Sequence, residues 1–127
     1  MKKLAVCGLL PVINQELFLS VSRKDDADAI GLVGGKVDDG ENILIALVRE
    51  FREETGLTIK PLKDQIPFIG LDGEFEVHTY LVELDDILQN QISDEETGLI
   101  RVVHKDQLIK NSPFSEYNIA MFDHFGL

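Results

Sequence analysis

Cysteine, basic residues and long apolar runs are what this chain of 127 residues has little of. Its one cysteine, Cys7, has no second thiol to pair with, so no internal disulfide forms, which fits a reducing cytosol. Cys7 sits in an apolar stretch with no base beside it in sequence, and it reads as a small buried residue rather than a nucleophile. Lysine and arginine number 12 against 23 acidic residues, a formal net charge of −11. Duplex nucleic acid, whose phosphates require basic patches, is therefore not an expected partner. A small polyphosphate is still admissible if metal ions bridge it to the protein. No run reaches the ~18 apolar residues of a membrane-spanning helix, so no membrane partner is expected. The opening MKKLAVCGLLPVI imitates a secretion signal, but no small-residue cleavage site follows and the pattern runs on into a second strand. It is read as a first strand of a cytoplasmic protein. No repeat, linker or low-complexity segment interrupts residues 1–127, which are expected to form a single domain around one core.

What is present follows a clear order. Lys3 to Ile13 reads as one strand and Glu16 to Ser22 as a second, forming a hairpin with a turn at Asn14-Gln15. Arg23 to Ala29 is polar and expected to be a loop. Ile30 to Val33 leads into a glycine turn at Gly34-Gly35, and an acidic loop follows to Glu41. Asn42 is a candidate N-cap for a helix to about Thr55, with Gly56 placed to end it. Extended segments are expected at Leu57 to Leu62, Ile66 to Leu71, Phe75 to Leu84 and Gly98 to His104, with a turn at Asp72-Gly73. A short helix is expected at Lys105 to Ile109. A closing helix is expected at Glu116 to Phe125, with Ile119, Met121, Phe122 and Phe125 inward. Strands, a helix, more strands and a last helix predict an α+β domain or a layered α/β/α sandwich with a mixed sheet.

The charges of the central helix are the unusual feature. At about 100° per residue, Glu50, Glu53 and Glu54 fall within an arc of roughly 100°, next to an apolar arc of Leu44, Leu47, Val48 and Phe51. Like charges so spaced repel by a few tenths of a kcal/mol per exposed pair, and a divalent cation among them would reverse that. Oxygen-only donors suit Mg²⁺, with Mn²⁺ as a substitute, rather than zinc. The plainer reading is a solvated helix face.

The residues around the glutamates decide between the two readings. Gly35, five residues, Glu41, seven residues, Arg49-Glu50-Phe51, one residue, Glu53-Glu54, one residue and Gly56-Leu57 fix nine positions over 23 residues. This pattern resembles the signature box of the Nudix hydrolases at every position. The opening through ELFLSVSRK and the segment DEETGLIRVVHKDQL resemble the first hairpin and the late acidic loop and strand of MutT-type members, the nucleoside triphosphate pyrophosphohydrolases. The resemblance implies the α/β/α sandwich, with the box as loop, helix and loop. It implies that Glu53 and Glu54 are principal metal ligands, that Glu50 is a further one, and that the Gly34 carbonyl completes the inner shell. It also implies that Arg49 ties the helix to the loop through Glu41 or a neighbouring carboxylate, and that Gly35 and Gly56 serve the backbone.

The implied chemistry is Mg²⁺-dependent hydrolysis of a phosphoanhydride in a small nucleotide, for which Glu50, Glu95 and Glu96 are the candidate general bases. Lys36, Arg23, Lys24 and Arg52 are candidate phosphate contacts, each with a surface cation as its alternative. His78 reads as a core, surface or pocket histidine. Phe114, Tyr117 and Asn118 are candidates for a stacking face and a base-reading amide, against helix packing and capping. Family subgroup markers leave the substrate open. Gly73 stands where ADP-ribose pyrophosphatases carry proline, and Phe75 where diadenosine polyphosphate hydrolases carry tyrosine. What remains is a MutT-like triphosphate pyrophosphohydrolase releasing pyrophosphate. The alternatives are a hydrolase of a sugar nucleotide, dinucleotide polyphosphate or capped RNA, and an inactive nucleotide-binding regulator. Homodimer formation stays open.

Overall fold

The computed structural model describes residues 3–13, 16–23, 26–85, 100–110 and 115–127. In chain order the elements are β1 (Lys3–Leu9), β2 (Pro11–Ile13), β3 (Leu17–Arg23), β4 (Asp26–Gly31), β5 (Val33–Lys36), α1 (Ile43–Thr55), β6 (Ile59–Pro61), β7 (Phe68–Asp72), β8 (Phe75–Leu84), β9 (Ile100–His104), α2 (Lys105–Lys110) and α3 (Ser115–Phe125). Among the described residues no helix is long and apolar enough to cross a membrane.

The main sheet runs β5-β1-β8-β6, with β7 also on β8. It is mixed: β1 pairs parallel with β8 and antiparallel with β5. β6 and β7 follow one another along the outer edge of β8, and Gln65 fills the gap between them by bonding both the N–H and the carbonyl of Leu81. A second sheet is built on β3, which pairs with β2, β4 and β9. Side chains alternate across β1. Val6 joins Val33, Val82, Leu47 and Phe51 in a cluster under α1, and Leu9 joins Phe18, Val103, Leu108, Met121 and Phe122 in a second cluster under α2 and α3. Helices thus cover the strands on both faces, as a layered α/β/α sandwich requires.

Three expectations about the strands change. Lys3 to Ile13 is not one strand, because β1 is flanked on both sides by β5 and β8 and offers no edge to β3. The chain therefore breaks at Leu10, whose carbonyl accepts from Leu19, and the hairpin is made by β2 and β3 alone. The polar stretch after Arg23 is not a loop but supplies β4, since ladder pairing engages backbone groups whatever the side chains are. Gly34 and Gly35 form no turn. They lie inside β5, paired with Cys7 and Val6.

The helices follow local rules. Asn42 caps α1 by accepting from Leu44 and Ile45, at 2.9 and 3.3 Å. Gly56 ends it at φ +77°, its N–H on the Arg52 carbonyl. The face α1 buries is Ala46, Leu47, Phe51 and Thr55. At about 100° per residue that face is centred closer to Glu50 and Glu54 than the apolar stripe alone predicts, and it leaves Leu44 exposed. In α3 the buried set is Asn118, Met121 and Phe122. Ile119 faces solvent, because the Asn118 amide turns inward to donate to the Leu108 carbonyl at 2.9 Å.

Candidate active site

β5 is an edge strand, and α1 lies across it. The short loop between them returns the chain so that Glu41 meets the middle of α1. There Arg49 gathers the acids. Its Nε and one terminal nitrogen donate to the two Glu41 oxygens at 2.8 and 2.9 Å. The other terminal nitrogen reaches Glu50 at 3.0 Å and both oxygens of Glu53 at 3.3 Å. A further bond goes to the Lys36 carbonyl at 3.1 Å, and Asp38 stands 3.6 Å away. Glu41 also accepts from the Asp38 N–H. One guanidinium thus ties β5, the acidic loop and α1 together. Asp38 had no place in the sequence reading, because a lone acid in an acidic loop carries no signal of its own.

Charge and burial divide these acids. The Arg49 hydrogen bond, helped by the Asp38 N–H, lowers the Glu41 carboxyl to about 2. Glu41 in turn raises Arg49. Glu50 goes the other way: burial raises its pKa, and Arg49 only partly opposes the rise. The cause is placement. Glu50 lies within the sheet-facing side of α1, packed on Gly35, where an added Cβ would lie 2.4 Å from its carboxylate. Gly35 is thus required by close approach and not by a turn conformation. The same holds for Gly34, whose Cβ would meet the Val6 carbonyl oxygen at 2.1 Å. Glu53 is more exposed, and Glu54 is half-buried on the same helix.

On the opposite face of the sheet a cavity of about 240 Å³ opens beside the same strand. Ala5, Cys7 and Val77 line it from the sheet, and Gly34, Gly35 and Lys36 from β5. Asp72 and Phe75 line it from the β7–β8 hairpin, and Tyr117 and Asn118 from α3. Tyr117 lies so close over Gly70 that a Cβ there would be 2.6 Å from its ring, and its hydroxyl bonds Thr79 at 2.6 Å and the Val77 carbonyl. Burial pushes the Cys7 thiol up to about 12, and the charges of Glu54, Asp72 and Glu50 add to the rise. Cys7 is therefore a neutral wall group that senses both the box acids and the cavity acid.

The structure brings together Gly35, Lys36, Glu41, Arg49, Glu50 and Glu53 around the guanidinium, with Gly34 and Glu54 on the same strand and helix. Tyr117 and Asn118 stand across the sheet in the cavity wall. The Asn118 amide donates to Leu108, an α2 carbonyl. His78 pairs with Glu76 at 2.8 Å. Arg52 is exposed. Arg23 ends β3, while Lys24, Glu95, Glu96 and Phe114 lie outside the described residues. Asp72 and Phe75 went unread as cavity residues, because only the pairing of β1, β5, β7 and β8 puts them there.

The donor set that the resemblance implies, three carboxylates and a strand carbonyl, is of a kind that suits a hard divalent cation. Among the described residues, however, no three acid, imidazole or thiol groups converge as metal ligands, since Glu50 and Glu53 both turn onto Arg49. An exposed glutamate such as Glu53 can rotate at little cost, so the residues fit a cation even though Arg49 holds them here.

The family model for the NUDIX domain matches residues 1–125. The uncharacterized Nudix hydrolase YvcI of Bacillus subtilis (strain 168) is 32% identical over 87 residues, which is 65% of this chain. The match takes in 54% of YvcI, so the chain spans about half the length of that curated relative. Among solved structures, a UDP-X diphosphatase superposes with a TM-score of 0.76 at 18% identity, covering 99% of this chain and 64% of the other. A MutT NUDIX hydrolase from Burkholderia pseudomallei gives 0.71 at 20% identity, covering 95% of this chain and 98% of the other. At such identities these two likenesses concern the fold.

Proposed function

The chain belongs to the NUDIX domain family, and on that premise we propose that it hydrolyses a phosphoanhydride bond in a nucleoside triphosphate or another nucleoside diphosphate derivative, using a divalent cation such as Mg²⁺. The observation that carries this reading is the placing of Glu50. A half-buried carboxylate of raised pKa sits against the edge strand, with an apolar cavity on the other side of that strand. The cavity is smaller than the roughly 300–1,000 Å³ of a site for a whole drug-sized ligand, so it suits part of a nucleotide, with the phosphates outside over the acids.

In this reading Glu50, Glu53, Glu54 and the Gly34 carbonyl hold the cation, which would neutralise phosphate charge and acidify a bound water. The chain's own groups do the rest. Glu50, seated against the edge strand, is the described candidate to take the proton of the attacking water, with Glu95 and Glu96 as the other candidates. The water oxygen bonds to phosphorus, and the P–O bond to the leaving phosphate or nucleotide breaks. Arg49, kept on Glu41, holds α1 to the acidic loop while Glu53 turns from it to the cation, and Lys36 meets phosphate at the cavity mouth.

A panel of nucleoside triphosphates, sugar nucleotides and dinucleotide polyphosphates, with products identified, tests the reading. Turnover with Mg²⁺, its loss on chelation and its recovery on adding the ion back are the expected results. No turnover on any member, with tight metal-free binding of one, would instead identify a nucleotide-binding regulator.

A further inference from the structure

Four polar side chains line the cavity besides the Cys7 thiol, and two of them are committed elsewhere. The Tyr117 hydroxyl is taken by Thr79 and the Val77 carbonyl, and the Asn118 amide donates to Leu108. The other two are Lys36 and Asp72. Among the described residues the Asp72 carboxylate has no hydrogen bond or ion pair, and the Lys36 ammonium has only the Phe75 ring, 5.7 Å from its centroid. The two are opposite in sign, line one cavity and do not pair with each other.

Their places give the cavity a direction. Lys36 rises from β5, whose backbone Arg49 holds beside the box acids, and its ammonium reaches inward over the Phe75 ring. Asp72 closes β7 opposite Phe75, at the hairpin end. Its charge reaches inward, for it helps raise the pKa of both Cys7 and Tyr117. An ionised carboxylate only accepts hydrogen bonds. A group that meets it must therefore donate, and a carbonyl oxygen placed there would face a negative charge.

We propose that Asp72 is a specificity-determining residue, selecting nucleotides that present an N–H or O–H donor at the hairpin end of the cavity. The inference rests on the proposed function, whose phosphates lie toward Lys36 and the box. Two sources could supply such a donor: an exocyclic amine of the base and a ribose hydroxyl. AMP against IMP and CMP against UMP exchange an exocyclic amine for a carbonyl oxygen and move the donor to the adjacent ring nitrogen, and AMP against dAMP removes one hydroxyl.

Calorimetric titration of these nucleotides into the wild type and Asp72→Asn is the test. The side chain is exposed and has no hydrogen-bond or ion-pair partner among the described residues, so the variant should melt as the wild type does. The wild type is expected to bind the member bearing the exocyclic amine or the hydroxyl in at least one pair about 10-fold more tightly, and Asp72→Asn is expected to abolish that preference. If the amine pairs respond, the donor is on the base; if the deoxy pair responds, it is on the ribose. Equal ratios in the two proteins, or no preference in the wild type, would overturn the inference. Turnover of triphosphates is measured separately. A ratio that depends on Asp72 without hydrolysis would remove the proposed function and leave this inference standing. Hydrolysis with ratios indifferent to Asp72 would do the reverse.

Discussion

Arg49 and Glu41 form a two-point contact that is charge-assisted at both ends, and such contacts fix geometry as well as adding energy. Because the folded pKa of Glu41 is about 2 against an ordinary 4.5, the pair's contribution is complete above about 4.5 and is lost as pH falls toward 2. Glu41→Gln should therefore melt below the wild type at pH 7, with the gap closing between pH 4.5 and 2. A gap that stays constant in thermal melts over that range would show that the pair carries no such linkage. Glu53→Gln tests the site rather than the fold. Turnover should fall by roughly 10²–10³-fold, as when a positioned electrostatic group is removed. The melting temperature should hardly move, since the side chain is largely exposed. Near-normal activity would refute its role. At this scale the sequence singled out the acids and the arginine of the box. It did not show that burial prevails at Glu50 while the Arg49 hydrogen bond prevails at Glu41, because that depends on how the fold seats each.

α1 was legible because its signals are local: an asparagine cap, a glycine in the left-handed conformation and a charged box between them. β4 and the break at Leu10 were not, because a strand is defined by its partner and the partners lie far along the chain. The two glycines of β5 separate structure from site. Gly34→Ala would drive a Cβ into the Val6 backbone, which cannot yield without loosening β1 from β5. A loss of about 1–3 kcal/mol is expected in urea unfolding, as for overpacked positions. The nearest atoms to a Cβ in Gly35→Ala belong to the Glu50 carboxylate, the end of a side chain that can swing aside. This variant should cost less stability and lower kcat/KM by about 10-fold or more, of the order seen when a catalytic group is displaced. Equal stability losses in both variants would mean that Glu50 is held as rigidly as backbone.

Among the described residues two apolar clusters lie on opposite faces of the strands, with the acids at an edge and the cavity on the face away from α1. Val82 belongs to the first cluster and Val103 to the second. Val82→Ala and Val103→Ala should each cost about 1–3 kcal/mol. The double variant should equal the sum within about 0.5 kcal/mol if the clusters share no partner. A larger departure would show that the sheet couples them. By itself the sequence determined the family box, the helix that carries it, its caps, most strands and the acidic balance, since these depend on residue type and on spacing within a few turns of chain. Only the tertiary structure decided which way α1 turns its glutamates, why Gly34 and Gly35 must be glycine, and that Asp72 and Lys36 face one cavity. Those facts depend on the strand pairings that set residues far apart in sequence against one another.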